Sequence, residues 1–217
     1  DALFTNTTGN ENASFGNFSL DANTTGCKNN GFGDSSLTAN TTGCCNVAVG
    51  NAALSSNTEG NNNVAIGINS LTSNTTGAGN AALGFCALAL NTTGAANVAV
   101  GCNAMKSNTT AGSNTAVGKD SLCVNQTGGF TVAVGQSALR NNTGGCNTAV
   151  GADAMFGNGS GTNNTAMGKF ALNCNTTGTD NTAIGKDSLV TSTTGVNNTS
   201  VGASSALRLT TGSQNAM

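Results

Sequence analysis

Histidine, tryptophan, tyrosine and proline are all missing from this chain. Without histidine it lacks the usual neutral-pH acid/base and the commonest metal ligand. Without tryptophan and tyrosine it lacks the usual stacking platforms and interface anchors. Charged residues make up 7% of the 217, and the net charge is −2. No basic patch exists to neutralise phosphates, so nucleic acid is not an expected partner. No apolar run approaches the roughly 18 residues of a membrane span, so membrane insertion is not expected either. The N-terminus has no signal-like pattern, and any targeting segment is expected outside these residues.

What is present is a repeat. Nearly the whole chain follows N-[TVA]-A-[VI]-G-x-x-[AS]-L-x-x-N-T-T-G-x-x, a unit of 17 residues. Its first residue falls at Asn12, Asn29, Asn46, Asn63, Asn80, Asn97, Asn114, Thr131, Asn147, Asn164, Asn181, Asn198 and Asn215. One residue is lost between Gly135 and Gly151. The period is too short for a helical pair or a propeller blade and fits one coil of a β-solenoid. Glycine, asparagine and threonine in such amounts could mean disorder, but apolar positions held in register argue against it. The expected fold is therefore all-β: a parallel β-solenoid over residues 1–217, with about 12–13 coils stacked about 4.8 Å apart.

Within one coil, position 5 is glycine throughout, position 4 is apolar, position 3 is small and position 9 is nearly always leucine. Positions 2 to 4 read as a short strand of period two, with positions 2 and 4 pointing into the coil. Leucine at position 9 also points inward. The glycine at position 5 and the N-T-T-G stretch are the corners. On this reading positions 3 and 5 face out, as Ala48, Gly50, Ala65, Gly67, Ala99, Gly101, Ala116 and Gly118. They form a flat face for lateral packing, or alternatively suit a tight internal turn.

Two further patterns bear on chemistry. N-x-[ST] sequons recur at Asn6, Asn23, Asn40, Asn74, Asn91, Asn108, Asn125, Asn141, Asn158 and Asn175. They are candidate glycan sites on an exposed corner, or else members of an Asn/Thr ladder bonded along the axis. Cys27 and Cys44 share a coil position, and Cys86 and Cys102 lie one position apart in adjacent coils. Such neighbours are candidate disulfides in an oxidising compartment, or small buried fillers. No CxxC pair exists and no metal site or cofactor is expected. Nothing resembles a nucleophile–base pair or a phosphate loop, so an enzyme is not expected.

Asn46-Val47-Ala48-Val49-Gly50, Asn63-Val64-Ala65-Ile66-Gly67 and Asn97-Val98-Ala99-Val100-Gly101 resemble the N-[ST]-V-A-I-G repeats of trimeric autotransporter adhesin heads and similar phage tail-fibre repeats. The resemblance implies a left-handed parallel β-roll, trimeric, displayed outside the cell to bind host surface or matrix components, glycans included.

The expected function is a structural subunit of an extracellular or cell-surface fibre, with the chain itself as principal partner. The first and last coils are incomplete and carry no distinct polar cap, which predicts head-to-tail stacking or continuation in a longer array. An adhesin or receptor-binding head is the alternative. Ice binding is a third reading, since threonine recurs at positions 13 and 14.

Overall fold

A computed structural model describes all 217 residues. It contains no helix and twelve strands of three residues each. The chain divides into two compact units, Asp1–Thr110 and Ala111–Met217. In the first unit β1 (Ala13–Phe15), β2 (Asn30–Phe32), β3 (Val47–Val49), β4 (Val64–Ile66), β5 (Ala81–Leu83) and β6 (Val98–Val100) stack in sequence order. In the second, β7 (Thr115–Val117), β8 (Val132–Val134), β9 (Thr148–Val150), β10 (Thr165–Met167), β11 (Thr182–Ile184) and β12 (Thr199–Val201) do the same. The pairings within each unit are parallel and in register, so each repeat position forms a column: Val47 faces Val64 and Ala48 faces Ala65. The fold is a parallel β-solenoid built from coils of 17 residues.

The missing residue sits in one corner. Val132 pairs with Thr148, one residue short of the usual spacing. In an ordinary coil the corner asparagine reaches the glycine carbonyl three residues on, as Asn158 reaches Gly161 at 3.0 Å. Asn142 reaches Gly144, two residues on, at 2.6 Å. The N-T-T-G corner has become N-T-G there, and the strands on either side stay aligned.

The strand faces are the reverse of the sequence expectation. Ala48, Ala65, Ala99 and Ala116 are fully buried, while the valines and isoleucines at positions 2 and 4 look outward. The reason is room. The interior already holds leucine at position 9, a small residue at 8 and asparagines at 1 and 12, all buried. A thin coil filled that way leaves space only for a side chain as small as alanine or serine. The alanines are core, and the glycines beside them are corners. Gly50, Gly67, Gly101 and Gly118 have φ between 132° and 136°, a region that side chains resist. No Ala/Gly packing face exists.

In most coils three non-glycine residues adopt left-handed backbone conformation, at positions 7, 9 and 17. In one stretch these are Asn62 (φ 58°), Asn69 (56°) and the buried Leu71 (49°). Such conformations cost an L-residue roughly 1–2 kcal/mol. They persist because each turns its N–H along the stacking axis. Asn62 donates to the Cys44 carbonyl, Asn69 to Asn51 and Leu71 to Ala87, each at 3.0 Å. All three partners lie in neighbouring coils.

Candidate functional site

The most regular chemistry in the molecule is a pair of buried asparagine columns. At position 12, Asn57 Nδ2 donates to Asn40 Oδ1 at 2.8 Å, and Asn74 Nδ2 donates to Asn57 Oδ1 at 2.8 Å. At position 1, Asn63 donates both its backbone N–H (3.0 Å) and its Nδ2 (3.2 Å) to Asn46 Oδ1. The columns meet within each coil. Asn46 Nδ2 at 2.8 Å and Asn57 Nδ2 at 3.0 Å both donate to the Gly60 carbonyl. One carbonyl thereby ties the start of the strand to the far corner.

The threonine after the corner asparagine completes the joint. Thr41, Thr42 and Gly43 all direct their N–H groups at the Thr58 carbonyl, at 3.0, 3.1 and 3.2 Å. The Thr41 hydroxyl donates to the same oxygen at 3.1 Å. Hydroxyls at position 13 therefore bond along the array. Gly43 needs to be glycine for space: a Cβ there would lie 2.5 Å from both Asn40 Oδ1 and the Gly60 carbonyl.

This geometry revises the sequon reading. Asn23, Asn40, Asn74, Asn91, Asn108, Asn125, Asn158 and Asn175 are fully buried. A glycan replaces one Nδ2 hydrogen. In Asn23, Asn40, Asn74 and Asn91 both hydrogens are engaged, on the preceding asparagine and on the corner glycine. The eight are ladder residues and leave no room for a sugar in the folded array. Asn6 is exposed and Asn141 half-buried. Asn141 also lies outside the column, because the shortened corner places Asn142 in it. The missing threonine between Asn142 and Gly144 was the sequence signal for that shift.

All eight cysteines are free thiols, so the expected Cys27–Cys44 and Cys86–Cys102 bridges are not formed. Cys44 instead turns its Sγ toward the Cys27 backbone N–H at 3.1 Å. Asn61 does the same job one coil on, its Oδ1 accepting from Cys44 N at 2.7 Å. Position 16 thus caps an outlying N–H, and cysteine is one of several side chains that serve. No three metal-ligating side chains cluster, and no helix is long and apolar enough to cross a membrane.

The position-12 column is interrupted at Ser192. Ser192 occupies an asparagine place in the column, and both its Oγ and the Oδ1 of Asn175 are buried without a partner. Ser192→Asn is expected to restore the bonds to Asn175 and to the Gly195 carbonyl and to stabilise the fold by about 1–2 kcal/mol. Urea unfolding checks this: the midpoint should rise with an unchanged slope.

On the outside, positions 2 and 4 present apolar columns. In β3, β4 and β6 they are valine or isoleucine only, and in β5 alanine and leucine. In β7 and β9 to β12 threonine takes position 2. Phe15 and Phe32 stack with ring centroids 5.2 Å apart.

Fold and site together define a β-solenoid repeat protein with asparagine-laddered coils. No protein-family model, curated protein or solved structure matches the chain.

Proposed function

We propose that this chain is a structural subunit of an extracellular or cell-surface fibre. The observation that supports the reading most directly is the axial bonding. Most coils present to their neighbours the same set of donors and acceptors: two asparagine columns, a four-donor carbonyl at position 13, and left-handed residues with axial N–H groups. Buried, satisfied and repeated, such a network resists bending and shear, because any opening leaves several polar groups without partners at once. These groups are engaged with one another, and what remains for contact with the surroundings is a stiff, weakly charged exterior.

Negative-stain electron microscopy of full-length protein tests the proposal, together with immunolabelling of intact source cells. Extended particles of uniform width and surface label are the expected results. Short isolated particles alone would count against a fibre. Discrete three-fold particles that bind matrix proteins or glycans would favour the adhesin-head alternative.

A further inference from the structure

We propose that the corner at Ser192 is a binding site for one water molecule, which stands in for the missing amide of the position-12 column. In an ordinary corner the two hydrogens of the asparagine Nδ2 have fixed destinations. Asn91 donates one to Asn74 Oδ1 at 2.8 Å and one to the Gly94 carbonyl at 2.9 Å. Asn175 does the same toward Asn158 Oδ1 and the Gly178 carbonyl. At Ser192 both destinations survive and the donor does not. Asn175 and Ser192 are fully buried, and neither Asn175 Oδ1 nor Ser192 Oγ has a partner. Gly195 is also buried, and its carbonyl accepts from Asn181 Nδ2 at 2.8 Å with a second lone pair to spare. Leu209, next in the column, has no polar side-chain group to offer.

Space and polarity select the occupant. Serine puts one oxygen where asparagine has a whole carboxamide, which frees room for about one water. A Cβ added to Gly195 would lie 3.0 Å from Ser192 Oγ, and one added to Gly60 would lie 2.3 Å from Asn57 Oδ1. The serine hydroxyl therefore stands on the amide-oxygen side of the corner, and the amide-nitrogen place is left over. That place faces two acceptors, Asn175 Oδ1 and the Gly195 carbonyl, and one hydroxyl. Water gives a hydrogen to each acceptor and takes one from Ser192 Oγ, about the three bonds usual for a buried water. An anion would meet the lone pairs of two oxygens, and ammonium would bury an unpaired charge. The column then runs Asn175, water, Ser192. The gain from Ser192→Asn includes the release of that water. The site is internal to one chain and holds whether or not chains assemble.

Magnetic relaxation dispersion of the water oxygen counts long-lived water molecules in the folded protein. The wild type should hold one more than Ser192→Asn, with superimposable circular dichroism. Equal counts overturn the proposal. Should Ser192→Asn fail to fold, a crystal structure of the wild type decides alone. Density within about 3.2 Å of Asn175 Oδ1, Ser192 Oγ and the Gly195 carbonyl oxygen is the expected result. Ser192 Oγ bonded directly to Asn175 Oδ1, or a corner with no such density, overturns the site. Density that appears only in ammonium buffer overturns the assignment to water.

Discussion

Replacing Gly67 by alanine is expected to unfold several coils or the whole first unit, with a loss of about 4 kcal/mol or more. Two effects add. Gly67 has φ of 133°, where a Cβ strains the backbone. The new Cβ would also lie 2.6 Å from the Gly84 carbonyl oxygen and 2.7 Å from its carbon. Those atoms are backbone of the next coil, so no side-chain rotation relieves the clash. Gly79 is the matched control. It has φ of 67°, its nearest neighbour to a new Cβ is Ala96 N at 4.0 Å, and Ala96 already takes φ of 57° in the same column. Gly79→Ala should cost only the left-handed backbone conformation, about 1–2 kcal/mol, with no clash added. Equilibrium urea unfolding of both variants checks the pair, and equal destabilisation would refute the argument.

Asn57→Ala should rank second, at about 3 kcal/mol. The substitution removes the bonds to Asn40 Oδ1 and to the Gly60 carbonyl and the one accepted from Asn74. A net hydrogen bond contributes about 1 kcal/mol, and a buried group left without a partner costs about 1–3. Asn40 Oδ1 is such a group after the change, since the column gives it no other donor. Thr42→Ala, on the exposed side of the same corner, should stay within about 0.5 kcal/mol. Hydrogen exchange should localise the Asn57→Ala defect to the coils on either side of residue 57.

Much of the fold was legible in the sequence, and the reasons are specific. Glycine at position 5 and leucine at position 9 marked a corner and a core because few other residues serve there. The lost residue between Gly135 and Gly151 announced itself as a phase shift. The strand faces were not legible. Val-Ala-Val is apolar at every position, so alternation alone cannot say which side is buried. The decision comes from the opposite wall, where buried asparagines take up width that a globular core would give to valine. The asparagine columns were visible only as one of two readings, because N-T-T reads equally as a sequon. What separates them is the engagement of both Nδ2 hydrogens, a property of the stacked neighbours and not of the local string. The left-handed conformation of Leu71 left no trace, since leucine is among the residues least suited to it.

The asparagine columns carry a sense of direction. In both, the later residue donates to the earlier one: Asn40 to Asn23, Asn57 to Asn40, Asn63 to Asn46. Side-chain amide dipoles therefore add head to tail along each column, and each bond polarises the next. The corner bonds from Thr41 to the Thr58 carbonyl run the other way and offset this in part. The stack is thus vectorial, with two chemically different poles, and its cohesion per coil grows with coil number. Two such stacks lying face to face oppose their amide dipoles when they run antiparallel and reinforce them when parallel. Electrostatics alone would therefore favour the antiparallel arrangement wherever two such stacks lay side by side.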